Sequence, residues 1–139
     1  MKIKSTPKHK VVMLIDDDGI DNFINEKIIK KTNFTETVFV HTYATSALEF
    51  LKSIETLNKD VASSLLPSYI FLDINMPISD GFHFLEEFNK FSKRTTLGIK
   101  IIILTSSLNP ADEAKSYSYE NVVKYLSKPL SAEHLMDMH

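Results

Sequence analysis

Five short apolar runs, each closed by polar residues and separated by segments of helical spacing, restrict this chain to few folds. The first, Val11-Val12-Met13-Leu14-Ile15, runs straight into Asp16-Asp17. Thr37–His41, Tyr69–Leu72, Ile99–Leu104 and Val122–Leu126 are the others, and the fourth is the most apolar. Apolar runs this short suit strands covered on both faces. Between them, Ile20, Phe23, Ile24 and Ile28 recur at helical spacing behind Asp18, a candidate N-cap. Ala47, Leu48, Leu51 and Ile54 mark a second helix continuing to about Lys59, and Phe82, Leu85 and Phe88 a third starting near Asp80. A weaker helix follows Pro110, a residue suited to a first turn, and Ala132–Met138 begins a last one.

Strands alternating with helices, and buried on both faces, predict an α/β domain: a doubly wound parallel sheet with helices on both sides. A chain of 139 residues fits one such core. Residues 1–9 offer little to bury and are expected to be a flexible lead-in to a domain over 10–139. In sheets of this kind, ligands gather outside the carboxyl ends of the strands, where strand order reverses.

The polar residues at those ends are Asp16 and Asp17 after the first run, Asp73 after the third, Thr105 after the fourth and Lys128 after the fifth. Gathered on one rim, the three carboxylates repel: a close pair costs roughly 4 kcal/mol at about 4 Å and an effective dielectric of about 20. A bound divalent cation and one lysine would offset that load. The donors are hard oxygens without His or Cys, which favours magnesium over zinc. Lys128 supplies a point charge for a phosphate oxygen and the Thr105 hydroxyl a hydrogen bond.

These residues carry a family likeness. Ile15-Asp16-Asp17-Asp18, Phe71-Leu72-Asp73-Ile74-Asn75-Met76-Pro77 with Asp80-Gly81, Leu104-Thr105-Ser106-Ser107, and Tyr125-Leu126-Ser127-Lys128-Pro129 together resemble response-regulator receiver domains. Each motif is weak alone; their order and spacing make the signal. The resemblance implies a flavodoxin-like five-stranded sheet of order 2-1-3-4-5. It implies that Asp73 accepts a phosphoryl group from a histidine kinase or relay protein, as a signalling phosphoacceptor rather than an enzyme of turnover. By the same resemblance, Asp17, Asp73 and the backbone carbonyl of Asn75 bind Mg2+ directly and Asp16 acts through a water. Lys128 then pairs with the phosphoryl group, while Thr105 and Tyr125 form the switch. Output is expected through the helix after the fourth strand, the fifth strand and the last helix, toward a downstream protein or a second copy.

Other features narrow the function further. A net charge of −2 without a basic recognition helix argues against nucleic acid or a membrane surface as partner. Cysteine is absent, which excludes disulfide and thiolate chemistry. The opening residues do not read as a signal peptide, and the apolar runs are too short to span a bilayer, so a cytoplasmic domain is expected. The five histidines show no metal-ligand spacing and read as structural or surface residues. A phosphohydrolase on a similar sheet would need an acid two residues after its nucleophile, where this chain has Asn75. A flavodoxin-like redox module would need a phosphate-cradling glycine loop, and the chain holds only Gly19, Gly81 and Gly98. Two departures from the receiver pattern stand out. Asn121-Val122 replaces a common Gly-Ala pair, with Asn121 expected to tolerate a left-handed turn. The last helix is also short, with eleven residues after Lys128.

Overall fold

The computed structural model describes residues 6–76 and 80–138. In chain order the elements are β1 (His9–Ile15), α1 (Gly19–Lys31), β2 (Thr35–His41), α2 (Ala44–Glu55), α3 (Lys59–Leu65), β3 (Tyr69–Leu72), α4 (Gly81–Phe88), α5 (Lys93–Thr96), β4 (Lys100–Thr105), α6 (Pro110–Tyr117), β5 (Val122–Ser127) and α7 (Ala132–Met136). The sheet is wholly parallel, in the order β2-β1-β3-β4-β5. Strand order therefore reverses beside β1 and β3, which places the crevice between their carboxyl ends.

Burial explains why the runs form strands. Val11 to Ile15, all of β3 and Ile101 to Leu104 are buried, and their side chains alternate between two cores. Met13, Ile15, Ile70, Leu72, Ile101 and Ile103 face one side, against Ala47, Leu51, Phe84 and Phe88 of α2 and α4. Val12, Leu14, Phe71, Ile102 and Leu104 face the other, against Ile29, Leu130, Leu135 and Met138. Each large apolar side chain taken fully from water contributes about 1.5–3 kcal/mol, so the sheet is held by burial on both faces.

Several boundaries differ from the sequence expectation. β1 starts at His9, inside the expected lead-in, because its ring packs 4.6 Å from Phe34 and 4.9 Å from Tyr69, centroid to centroid. Residues 1–5 of that lead-in and Pro77 lie outside the described residues. The second helix ends at Glu55 rather than near Lys59, and Asn58 then caps a separate α3 through the Val61 N–H (3.0 Å). Asn121 does not take a left-handed turn; Asn33 is the sole non-glycine residue of positive φ among the described residues. Instead the Asn121 side-chain amide donates to the carbonyls of Thr96 and Ile99, both at 2.8 Å, joining α5 to the start of β5. The last helix covers Ala132–Met136, and Ser131 and His134 open it with a reciprocal capping box.

In α1 the apolar residues that mark the helical spacing do not face the sheet as a set: Ile20, Phe23 and Ile24 are 72%, 61% and 47% exposed. The inward positions are Asn22, Asn25 and Ile29. Asn22 donates its side-chain amide to the Asp16 carbonyl at 2.7 Å, so the buried face of this helix is shaped by a polar tie to the strand end. Periodicity locates a helix; it cannot say which stripe faces inward when a buried polar side chain finds a partner.

Candidate functional site

Each rim residue stands just past its strand and is still held by the neighbouring one. The Asp16 N–H donates to the His41 carbonyl (3.1 Å), Asp73 to Ile15 (3.0 Å) and Lys128 to Thr105 (3.0 Å). The parallel ladder thus continues one residue beyond the hydrophobic run, and fixed backbones carry the charged side chains.

The sequence-predicted acids converge. Asp16, Asp17 and Asp73 each place a carboxylate oxygen within 4.8 Å of the others. Asp16 and Asp73 are buried, both 4% exposed, whereas Asp17 faces solvent. Local backbone bonds aim the buried pair: the Asp18 N–H reaches Asp16 Oδ1 at 3.0 Å, and the Asn75 N–H reaches Asp73 Oδ1 at 2.9 Å. Asp18 caps α1 as expected, accepting from the Ile20 and Asp21 N–H groups at 2.8 and 3.2 Å.

Lys128 closes the cluster. Its Nζ lies 2.7 Å from Asp16 Oδ2, 2.7 Å from Asp21 Oδ2 and 3.0 Å from Asp73 Oδ2. Burial alone lowers a lysine pKa, but hydrogen bonds to Asp16, Asp21 and Asp73 outweigh it and hold the ammonium well above its ordinary range. Asp16 moves the other way for a carboxylate: burial raises it, and Lys128 and the Asp18 N–H only partly offset that. One ammonium is thus shared among three carboxylates. Four acids, Asp16, Asp17, Asp21 and Asp73, gather around that single ammonium, an excess of negative charge that a divalent cation can offset.

The donor set fits a hard divalent ion. Three carboxylates face one another without a thiolate or imidazole among them, and Asp17 projects to solvent.

Thr105 ends β4 and is fully buried. Its Oγ1 accepts the Ser107 N–H at 3.2 Å, and the Ser107 carbonyl in turn accepts the Tyr125 hydroxyl at 3.3 Å. Ser107 Oγ donates to Asp112 Oδ2 at 2.7 Å, which ties this loop to the first turn of α6. Gly81 closes the site from below: a Cβ there would meet Ile74 Cα at 2.7 Å and the Asp73 carbonyl at 2.9 Å. Only glycine lets α4 approach the end of β3 so closely.

Sequence reasoning missed Asp21, Asn22 and Ser107 as members of this site. Asp21 and Asn22 sit one turn beyond Asp16-Asp17, so the helix capped by Asp18 was the available signal. Ser107 lay within a quoted motif but had no assigned role.

Comparison with known proteins agrees with this geometry. The family model for the response regulator receiver domain matches residues 12–139. The chain is 31% identical over 134 residues to the sensor histidine kinase CheAY of Helicobacter pylori, covering 96% of this chain and spanning only 15% of that protein. A two-component response regulator from Cytophaga hutchinsonii superposes with a TM-score of 0.81 at 35% identity, covering 94% of this chain and 93% of that one. The Mn2+-bound form of response regulator Rcp1 superposes with a TM-score of 0.69 at 26% identity, covering 93% and 88% of the two chains.

Proposed function

This chain belongs to the response regulator receiver domain family, and from that premise we propose that it takes a phosphoryl group onto the Asp73 carboxylate and changes its protein contacts in response. Members of the family are signalling phosphoacceptors of two-component systems, act with histidine kinases or phosphotransfer proteins, and bind a divalent metal at the acidic pocket. Asp16 and Asp73 both lie buried in the oxygen triad and both pair with Lys128. The observation that carries the reading for Asp73 is its place at the end of the central strand β3, at the acidic position of the Phe71-Leu72-Asp73-Ile74-Asn75 motif, with Oδ1 steered by the Asn75 N–H.

The ion would be Mg2+, which Asp17, Asp73 and the Asn75 carbonyl would hold with Asp16 acting through a water; it would supply charge neutralisation at the acceptor and at the transferring oxygens. The remaining work falls to the chain. An Asp73 oxygen forms the new O–P bond as the P–N bond of the donor phosphohistidine breaks, and the imidazole leaves with the electron pair and takes up a proton. The transition state is loose, so positioning and charge dominate. Lys128, already 3.0 Å from Asp73, pairs with a phosphoryl oxygen. Thr105 turns its hydroxyl toward the same group and draws on the Ser107 bridge to Tyr125. Asn75, which cannot exchange a proton, leaves no acid where a hydrolase would carry one, so the reading is a switch rather than an enzyme of turnover.

The proposed output face comprises α6, β5 and α7. The setting is cytoplasmic, and the partner is a protein rather than DNA; no described helix is long and apolar enough to cross a membrane. Intact-mass spectrometry with acetyl phosphate and Mg2+ tests the central step. One added phosphoryl group, lost in Asp73→Asn, is the expected result; undiminished labelling of that variant would overturn it.

A further inference from the structure

We propose that Asp21 sets how firmly the site holds a phosphoryl group, by competing for the Lys128 ammonium from outside the carboxylate triad. The inference rests on Asp73 being the acceptor and concerns the regulation of that same site.

Lys128 has three carboxylate partners at 2.7, 2.7 and 3.0 Å. Two of them, Asp16 and Asp73, belong to the triad that would share a cation, so their charge is taken up when the site is loaded. Asp21 does not belong to that triad. Its carboxylate therefore keeps its full claim on Lys128 when a phosphoryl oxygen needs the same ammonium. Position reinforces the effect. The Asp21 side chain is 34% exposed against 5% for Asp73, so it stands on the solvent side, where an incoming anion meets it.

Asp21 is also fixed in place. Its N–H is held by the Asp18 cap (3.2 Å), and its neighbour Asn22 anchors α1 to the Asp16 carbonyl (2.7 Å). The backbone that bears the carboxylate is thereby fixed beside Lys128, and the 2.7 Å contact with Nζ keeps the side chain turned toward it. Because Asp21 and the phosphoryl group would both bond one Nζ, their charges lie close enough to repel through a partly screened medium. Asp21 is thus a positioning residue that lowers affinity for the phosphoryl group and favours its loss.

The test compares wild type, Asp21→Asn and Asp21→Glu, titrated with beryllofluoride in saturating Mg2+ and followed by NMR. Asp21→Asn is expected to bind beryllofluoride about tenfold tighter, by an amount that shrinks as salt rises, while Asp21→Glu stays near wild type. Equal or weaker binding by Asp21→Asn overturns the proposal, since Asp21 would then merely orient Lys128; a salt-independent gain overturns it as well. Labelling by acetyl phosphate runs in parallel. Failure of wild type to take a phosphoryl group on Asp73 refutes the acceptor reading itself, whereas normal wild-type labelling with unchanged Asp21→Asn affinity refutes only the role of Asp21.

Discussion

Thr105 and Tyr125, on adjacent strands, are joined through one residue: Ser107 donates its N–H to the Thr105 hydroxyl and accepts the Tyr125 hydroxyl on its carbonyl. A displacement of Thr105 toward the rim pulls on the Ser107 N–H and so moves the acceptor that holds Tyr125. The half-buried ring then has a reason to turn, with no relay beyond one loop.

Thr105→Ala should therefore still accept a phosphoryl group on Asp73 but respond less to it. Loss of a buried hydrogen bond costs about 1 kcal/mol of stability, which leaves the fold intact. NMR spectra with and without beryllofluoride check this: shifts around Ser107 and Tyr125 should shrink in the variant, and a full wild-type response would contradict the linkage.

Asp17 differs from its neighbours in being exposed, and Lys128 pairs with Asp16, Asp21 and Asp73 instead. Asp17→Ala should accordingly leave stability in EDTA within about 0.5 kcal/mol, the usual range for surface changes. The same variant should lose at least tenfold in Mg2+ affinity and lose labelling by acetyl phosphate. Urea unfolding and Mg2+ titration separate the two effects; labelling that survives in EDTA would exclude the metal site.

Lys128→Met should destabilise strongly without metal, by about 3 kcal/mol, because two buried carboxylates are left without their cation. Added Mg2+ should restore part of that loss, since the ion supplies the missing charge. Unfolding midpoints in EDTA and in Mg2+ test it: equal deficits in both would mean that cation and lysine do not answer to the same acids.

Gly81→Ala places a methyl 2.7 Å from Ile74 Cα and 2.9 Å from the Asp73 carbonyl. Backbone must move, at a cost of about 1–3 kcal/mol as for other overpacked sites. The displaced residues adjoin the acceptor, so acetyl phosphate labelling should slow together with the stability loss. An unshifted NMR signal for Asp73 in this variant would show that the contact is slack.

Two histidines make stability depend on pH. His9 is lowered by burial and then by Lys100 and Lys8, and His41 by burial. Both bind protons less readily folded than unfolded, so their contribution is complete above about pH 6.5 and is lost as pH falls through the lowered folded values. Urea midpoints should drop between pH 7 and 5.5, and less steeply in His41→Gln. A flat profile in wild type would count against the buried neutral rings.

The strands were legible because continuous apolar runs answer to burial on both faces, and the rim acids because each follows such a run. Tyr69–Leu72 leading into Asp73 shows both at once. What escaped notice depends on contacts distant in sequence. Asp21 means little until Lys128, 107 residues away, arrives beside it, and the spacing of Ile20, Phe23 and Ile24 marks a helix without saying which face is buried. α3 carries a local signal in Asn58, overlooked because the preceding helix was extended across it, while α5 is only four residues long and is held by Asn121 from beyond β4.

The 107-residue span between Asp21 and Lys128 also bears on synthesis. A nascent chain that has emerged only through β4 already carries Asp16, Asp21 and Asp73 but not the ammonium that they share. Until β5 docks, those charges oppose closure of the rim, and a divalent ion is the available substitute. Completion of the rim therefore waits on a residue near the far end of the fold, and a molecule whose β5 has come away holds these carboxylates without the ammonium they share.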